Sequence, residues 1–144
     1  VKEFVSINVY SRFGEDSWQF LTTDLLHTVL VIRQSIDKPI TINNWAFGGN
    51  MEQRGLRDNL TPIFKSKFKK NSLYLSGHVL GMAIDFDVKD MTAKEVRAWL
   101  IDNEEILPTK IRLERKLNGK EITWVHIDCK YEERNPKVYL FDVG

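Results

Sequence analysis

The dipeptide Asn118-Gly119, with a strand-like segment before and after it, is the feature that most constrains the fold of this chain. Both residues adopt positive φ angles readily, so they favour the tight turn whose twist matches that of two paired strands. The flanking runs, 111–114 and 122–128, have the β-branched and alternating composition of strands. The sequence therefore predicts an antiparallel hairpin near the C-terminal end.

Two helices, a short strand and a loop follow from other local patterns. Apolar residues recur at helical spacing over 25–33, which predicts a helix with one buried face, and 40–42 has the composition of a short strand. Thr92 and Glu95 precede an apolar run and form a capping-box pattern, which predicts the start of a second helix. Residues 43–75 contain glycines and lysines and are predicted to be a long loop.

Residues 81–88 alternate small or acidic residues with apolar ones, which is the period-two pattern of a strand. The predicted core-facing residues of this strand are Ile84, Phe86 and Val88. The order helix, strand, loop, strand, helix, hairpin predicts an α+β fold with a small antiparallel sheet flanked by helices. A chain of 144 residues fits one domain, so residues 1–144 are predicted to form a single one.

Composition narrows the chemistry. The formal net charge is +1, so there is no domain-wide basic excess and nucleic acid is not an expected partner. No apolar run approaches the roughly 18 residues of a membrane helix, and no membrane partner is expected. The one cysteine, Cys129, excludes an internal disulfide and a cysteine-rich zinc site, and is itself predicted to be a packed thiol. Any metal must therefore bind through histidine and carboxylate groups.

Two histidines and one aspartate form a candidate metal site. His78 and Asp85 lie on either side of Gly81, and His126 lies in the second strand of the hairpin. Neutral imidazole and carboxylate both suit Zn²⁺, and three protein ligands leave a fourth position for water or substrate. These residue types favour a zinc site of the catalytic kind.

Two motifs carry a family resemblance. Residues 76–85 follow the pattern S-x-H-x-x-G-x-A-x-D, and residues 124–128 follow W-x-H-x-D. Both motifs resemble those of the zinc D-alanyl-D-alanine carboxypeptidases and dipeptidases, peptidoglycan peptidases related to lysostaphin-type enzymes and to the zinc domain of hedgehog. The resemblance implies a hedgehog/DD-peptidase-like fold, zinc ligands at His78, Asp85 and His126, and hydrolysis of a peptide bond in peptidoglycan stem or cross-link peptides.

The general base is where this chain departs from the resemblance. Many relatives carry a carboxylate three positions before the final histidine, where this chain has Thr123. Other relatives have a glutamate at the end of the preceding strand, and the equivalent here is Glu114. A two-residue turn pairs Glu114 with Thr123, on the face away from His126, and a one-residue bulge would reverse this. Glu114 is the predicted base, and the alternatives are Glu121 as base or a surface salt bridge for Glu114.

Four residues are assigned to substrate binding. A cation is needed beside a D-Ala carboxylate, and Arg54 and Arg57 lie where relatives carry a substrate arginine, although loop arginines are commonly just exposed. Trp124 precedes the final histidine by two positions and is predicted to wall the cleft, and Ser76 opens the first motif. Asp128 is predicted to hydrogen-bond a metal ligand or Ser76, with a surface acid as the alternative.

The lysines at 65, 67, 69 and 70 surround two phenylalanines, and we interpret this cluster as a solvated loop or a site for an anionic wall polymer or nucleic acid. No signal peptide is visible over Val1–Val5, and with the resemblance this favours a phage or prophage lysis enzyme, an endolysin, held in the cytoplasm until lysis. The alternatives are a zinc-stabilised wall-binding or protein-binding domain without catalysis, and a metal-free structural component of a phage particle.

Overall fold

The computed structural model describes residues 1–130 and 132–144, and this part of the chain contains four α-helices and five strands. The helices are α1 (Ile7–Phe13), α2 (Thr23–Ile36), α3 (Pro62–Lys69) and α4 (Ala93–Asp102). The strands are β1 (Ile40–Thr41), β2 (Ala83–Val88), β3 (Ile111–Leu117), β4 (Lys120–Asp128) and β5 (Val138–Val143). The predicted α+β class is confirmed. No helix in the described ranges is long and apolar enough to cross a membrane.

The five strands form one sheet in the order β1-β2-β4-β3-β5. All neighbours are antiparallel except β3 and β5, which are parallel. The predicted antiparallel sheet is therefore mostly antiparallel, with one parallel pair at this edge. The chain reverses direction after β4 and returns on the far side of β3. Because β3 is already antiparallel to β4, the returning strand must be parallel to β3.

The predicted helices form where capping residues start them. The Thr22 side chain accepts a hydrogen bond from the backbone N–H of Leu25 at the start of α2. Thr92 and Glu95 make the reciprocal bonds of a capping box at the start of α4, as predicted. The predicted loop over 43–75 was wrong in part, because it contains α3, which begins at Pro62 after the capping residue Thr61.

The sheet has one buried face and one face that carries polar side chains. Ile84, Phe86 and Val88 are buried in the core, which confirms the predicted orientation of β2. Alternation places the neighbouring residues of β2 on the opposite face, and the same holds for β3 and β4. The polar face therefore collects side chains from three adjacent strands, and the candidate site lies there.

Candidate metal centre

The three predicted ligands come together in one buried group. Nδ1 of His126 lies 2.7 Å from Oδ1 of Asp85 and 3.3 Å from Nε2 of His78, and the same Nε2 lies 3.3 Å from Oδ1 of Asp85. All three residues are buried, and their ligand atoms are close enough together to hold one metal ion.

The ligand atoms of His78, Asp85 and His126 form a triangle, and the distances within this triangle suit an ion with tetrahedral coordination. Zinc–nitrogen and zinc–oxygen bonds of about 2.0–2.1 Å place two ligand atoms of a tetrahedron roughly 3.3 Å apart. Both distances from His78 Nε2 have this value. The third distance, between His126 and Asp85, is that of a hydrogen bond and would lengthen by about half an ångström around an ion of this size. The residues present therefore fit a metal ion.

Strand pairing and one glycine turn bring these side chains together. Asp85 on β2 lies directly opposite His126 on β4, so both side chains project from the same face. His78 reaches them because the chain turns at Gly81, whose φ is +67°. A Cβ at Gly81 would lie 1.9 Å from the carbonyl oxygen of Phe20, so only glycine fits there. This accounts for the glycine of the first motif.

Hydrogen bonds to groups outside the triangle leave one ring nitrogen of each histidine with a free lone pair that faces the inside of the triangle. The Nδ1–H of His78 can donate to the carbonyl of Gly55 at 2.9 Å, which leaves Nε2 as the lone-pair atom. The Nε2–H of His126 faces Oδ2 of Asp128 at 3.4 Å, which leaves Nδ1 for a metal. Asp128 therefore contacts a ligand histidine, one of the two alternatives predicted for it, and not Ser76. Partners of this kind hold metal-binding histidines in orientation.

Electrostatics separate the two histidines. Burial lowers the pKa of His78 and favours its neutral, metal-binding form. Burial also disfavours a charged His126, but hydrogen bonds to Asp128 and Asp85 outweigh this and raise its pKa to about 9. The same histidines hold the pKa of Asp85 well below its usual range, against the effect of burial. In the absence of metal, a proton on His126 thus balances the buried carboxylates.

This balance predicts a pH dependence for the metal-free protein. The ordinary pKa of His126 is 6.5 and its folded value is about 9, so its contribution to stability is complete below pH 6.5 and is lost as the pH rises toward 9. We expect the unfolding temperature of chelator-treated protein to fall between pH 7 and pH 8.5. Thermal denaturation followed by circular dichroism measures this. Zinc-loaded protein is the control, since the ion replaces the proton, and a rise for the metal-free protein over this range would contradict the prediction.

Glu114 lies on the same face as the triangle because the β3–β4 hairpin is irregular. Next to the turn, Leu117 pairs with Lys120, and continuing this register would pair Glu114 with Thr123, as predicted. A register shift between Glu114 and Lys116 instead pairs Glu114 with His126, three residues further along β4. An odd shift reverses the face. The predicted pairing with Thr123 was wrong, and the reversal expected from a bulge occurs.

The surroundings of Glu114 differ from those of Glu121. Glu114 is half-buried and lines the cleft that also contains the triangle. Burial raises the pKa of its carboxyl group. The nearby His126 lowers this pKa, and the Asp85 carboxylate raises it further. Glu121 is exposed, and its carboxylate lies 3.9 Å from Arg97. It does not line the cleft. Of the two candidate bases, only Glu114 lies beside the triangle.

The two predicted substrate arginines occupy different places. Nη2 of Arg57 donates to Oδ2 of Asp85 at 3.0 Å, and its Nε donates to the carbonyl of Gln53 at 2.7 Å. Arg54 is paired with Asp87 at 2.6 Å and does not line the cleft. Only Arg57 therefore lies at the site, where it binds the oxygen of Asp85 that faces away from the histidines.

The different positions of the arginines predict different effects on metal affinity. We expect Arg57→Ala to weaken zinc binding by roughly 10- to 100-fold, because it removes the group that orients Asp85. Arg54→Ala is the matched control and should leave zinc affinity within about threefold of that of the unmodified protein, since the Arg54 side chain is paired with Asp87 and not with a candidate ligand. The backbone carbonyl of Arg54 accepts a hydrogen bond from the N–H of Asp85 at 2.7 Å, and the substitution keeps this bond. Competition with a chromophoric chelator measures both affinities. Equal losses in the two variants would contradict the assignment.

The triangle lies at the base of a cleft of about 550 Å³. The predicted residues Trp124 and Ser76 both line this cleft, and the Ser76 hydroxyl also accepts a weak hydrogen bond from the N–H of Val79 at 3.4 Å. Lys67 and Lys130 add positive charge to its wall. The cleft is wide enough for a peptide-sized ligand.

Arg112 and Phe141 are among the residues of the site that sequence reasoning missed. Arg112 holds Asp128 with two hydrogen bonds of 2.8 Å each and stacks on Phe141, whose ring centroid lies 4.7 Å from the guanidinium carbon. Arg112 precedes Glu114 by two positions, so strand alternation could have found it. Phe141 belongs to β5, which was not predicted although residues 138–141 have the β-branched and aromatic composition of a strand.

Cys129 and His27 lie outside the triangle. Cys129 is buried with its sulfur 3.9 Å from the Thr28 hydroxyl, which confirms a packed thiol. His27, a lone histidine on a predicted helix and therefore expected to be a partly buried packing residue, is instead exposed on α2. In comparisons of the whole chain, no protein family, curated protein or solved structure matches it.

Proposed function

We propose that this chain is a zinc-dependent peptidase that hydrolyses a peptide bond in peptidoglycan stem or cross-link peptides, as a D-Ala-D-Ala carboxypeptidase or an endopeptidase. The observation that carries the proposal is the His78–Asp85–His126 triangle at the base of a cleft, with Glu114 directly opposite His126. The two sequence motifs add the substrate class and a hedgehog/DD-peptidase-like fold.

The side chains around the triangle have separate tasks in this proposal. When bound, a zinc ion supplies Lewis-acid chemistry that polarises a carbonyl group and lowers the pKa of water. Glu114 accepts a proton from the attacking water and returns it to the leaving amine. Burial raises the pKa of Glu114 toward neutral pH, and a base with such a pKa can both accept the proton from water and return it to the amine. Asp128, held by Arg112, keeps His126 in its metal-binding orientation.

Arg57 is the proposed cation for a substrate carboxylate. Its guanidinium lines the cleft, and one of its terminal nitrogens is already bound to Asp85, while Nη1 points toward the hydroxyl of Tyr74 at 3.5 Å. A second terminal nitrogen can therefore serve a ligand without loss of the Asp85 contact. Trp124 lines the cleft and offers an apolar wall to a bound peptide.

Purified muropeptides test the proposal directly. Zinc-loaded protein should release a defined product, identified by mass spectrometry, and the product identifies the bond that is cleaved. Treatment with a chelator should abolish release, and added zinc should restore it. Failure to release any product from stem peptides, cross-linked dimers and D-Ala-D-Ala-terminated peptides would contradict the proposal.

A second candidate is a zinc-stabilised binding domain that does not catalyse. The observation that favours it is Thr123, which stands where many relatives have a carboxylate and whose side chain is exposed. Unchanged muropeptides together with zinc-dependent pulldown by cell walls would support this candidate. A chain that binds no metal at all would instead favour the structural role in a phage particle.

A further inference from the structure

The segment 60–75, called here the α3 surface, concentrates positive charge. It contains four lysines and no acidic residue, whereas the whole chain has a net charge of only +1. Within the described ranges, no ion pair joins these lysines to a carboxylate. Their charge is thus available to an anionic partner.

The same surface exposes large apolar side chains. The exposed fractions of Leu73 and Phe68 are 84% and 77%, and those of Leu75, Leu60 and Ile63 are 55%, 53% and 38%. Several apolar groups of this size close together on one short segment are unusual on a free surface and indicate an interaction site.

The helix α3 within this surface buries none of the side chains of its eight residues. Isolated helices shorter than about 12–15 residues are marginal in water. The cap at Thr61, Pro62 and a ring contact between Phe64 and Tyr74 support this one. A partner that covers the apolar side chains would stabilise α3.

A small apolar slot lies between the charges. Phe64 and Phe68 form it together with Asn59, Lys65 and Lys69, and its volume is about 240 Å³. The slot is mostly apolar, and its two lysines carry the positive charge at its edge. An acyl chain beside an anionic head group has this combination of properties, whereas a hydrated wall polymer or a nucleic acid backbone has no matching apolar part.

We propose that the α3 surface docks on an anionic lipid bilayer. The lysine ammonium groups bind lipid phosphates, and Phe68 and Leu73 enter the boundary between head groups and acyl chains. Ile63 and Lys67 also line the cleft, so docking holds the rim of the cleft at the bilayer surface. The proposal does not depend on the metal chemistry, and it differs from the expectation that no membrane partner exists.

Vesicle co-sedimentation tests the proposal with the full chain. We expect binding to phosphatidylcholine vesicles that contain 30% phosphatidylglycerol, little binding to pure phosphatidylcholine, and weakening in high salt. The triple change Lys65→Gln, Lys67→Gln and Lys69→Gln should reduce affinity by about 100-fold, since each lysine near an anionic surface contributes about fivefold. The matched control changes the exposed lysines at 89, 94 and 120 to Gln, has the same net charge, and should lose much less affinity.

A charge-preserving variant separates lipid from other polyanions. Phe68→Ser with Leu73→Ser should lower vesicle affinity by about tenfold or more, because the apolar side chains no longer enter the bilayer. Hydrogen exchange should show protection of amides in 60–75 when vesicles are present. Vesicle binding that is unaffected by the loss of Phe68 and Leu73, or equal binding to soluble polyphosphate, would overturn the proposal, as would equal losses in the two lysine triples.

Discussion

Replacing Glu114 with Gln is expected to lower the kcat of peptide hydrolysis by about 10²–10⁴-fold and to leave zinc affinity nearly unchanged. The amide has the size of the carboxylate but cannot accept a proton from water. The Glu114 carboxylate makes no hydrogen bond to the side chains of the three candidate ligands, so the triangle should be preserved. Product release from muropeptides measures kcat, and chelator competition measures zinc affinity.

Glu121→Gln is the matched control for this experiment. Both glutamates belong to the same hairpin, but Glu121 is exposed and does not line the cleft, so its amide variant should retain full activity. Activity of Glu114→Gln equal to that of the unmodified protein would remove Glu114 from the proposed role of base. A loss of activity that follows a loss of zinc would give Glu114 a structural role instead.

Replacing His126 with Ala is expected to weaken zinc binding by at least about 10²–10³-fold, since it removes one of three ligands. Zinc should raise the unfolding temperature of the unmodified protein and not that of the variant, because zinc stabilises the folded state only where it is bound. Titration calorimetry and thermal denaturation with and without zinc measure the two effects.

The control for this variant is a histidine that lies outside the triangle. His27 is exposed on α2 and far from the site in sequence, so His27→Ala should bind zinc as the unmodified protein does. Asp85→Asn provides a second ligand variant that preserves side-chain volume if His126→Ala folds poorly. Normal zinc binding by both ligand variants would show that the triangle is not the metal site.

Local pattern was enough for much of the fold. The Asn118-Gly119 turn, the Thr92 capping box and the alternation of 81–88 each depend on residues close together in the chain, and each forms as predicted. Strand β5 was not predicted, and its parallel pairing with β3, which is distant in sequence, cannot be read from a local pattern. Helix α3 was taken for a loop although the sequence has a helix start at Thr61-Pro62 and apolar residues at helical spacing, Phe64 and Phe68. The prediction followed the glycines and lysines of 43–75 instead.

The sequence by itself determined the candidate ligand set, because spacing and residue chemistry select His78, Asp85 and His126 without any distance. It could not determine which face carries Glu114 or which arginine reaches the site. The register shift in the hairpin decided the first, and the hydrogen bond from Arg57 to Asp85 decided the second. Both depend on pairing between strands and loops that lie apart in the chain, where one residue of register reverses a face. The position of the proposed base could therefore be known only from the tertiary structure, whereas the candidate metal ligands could be identified from the sequence.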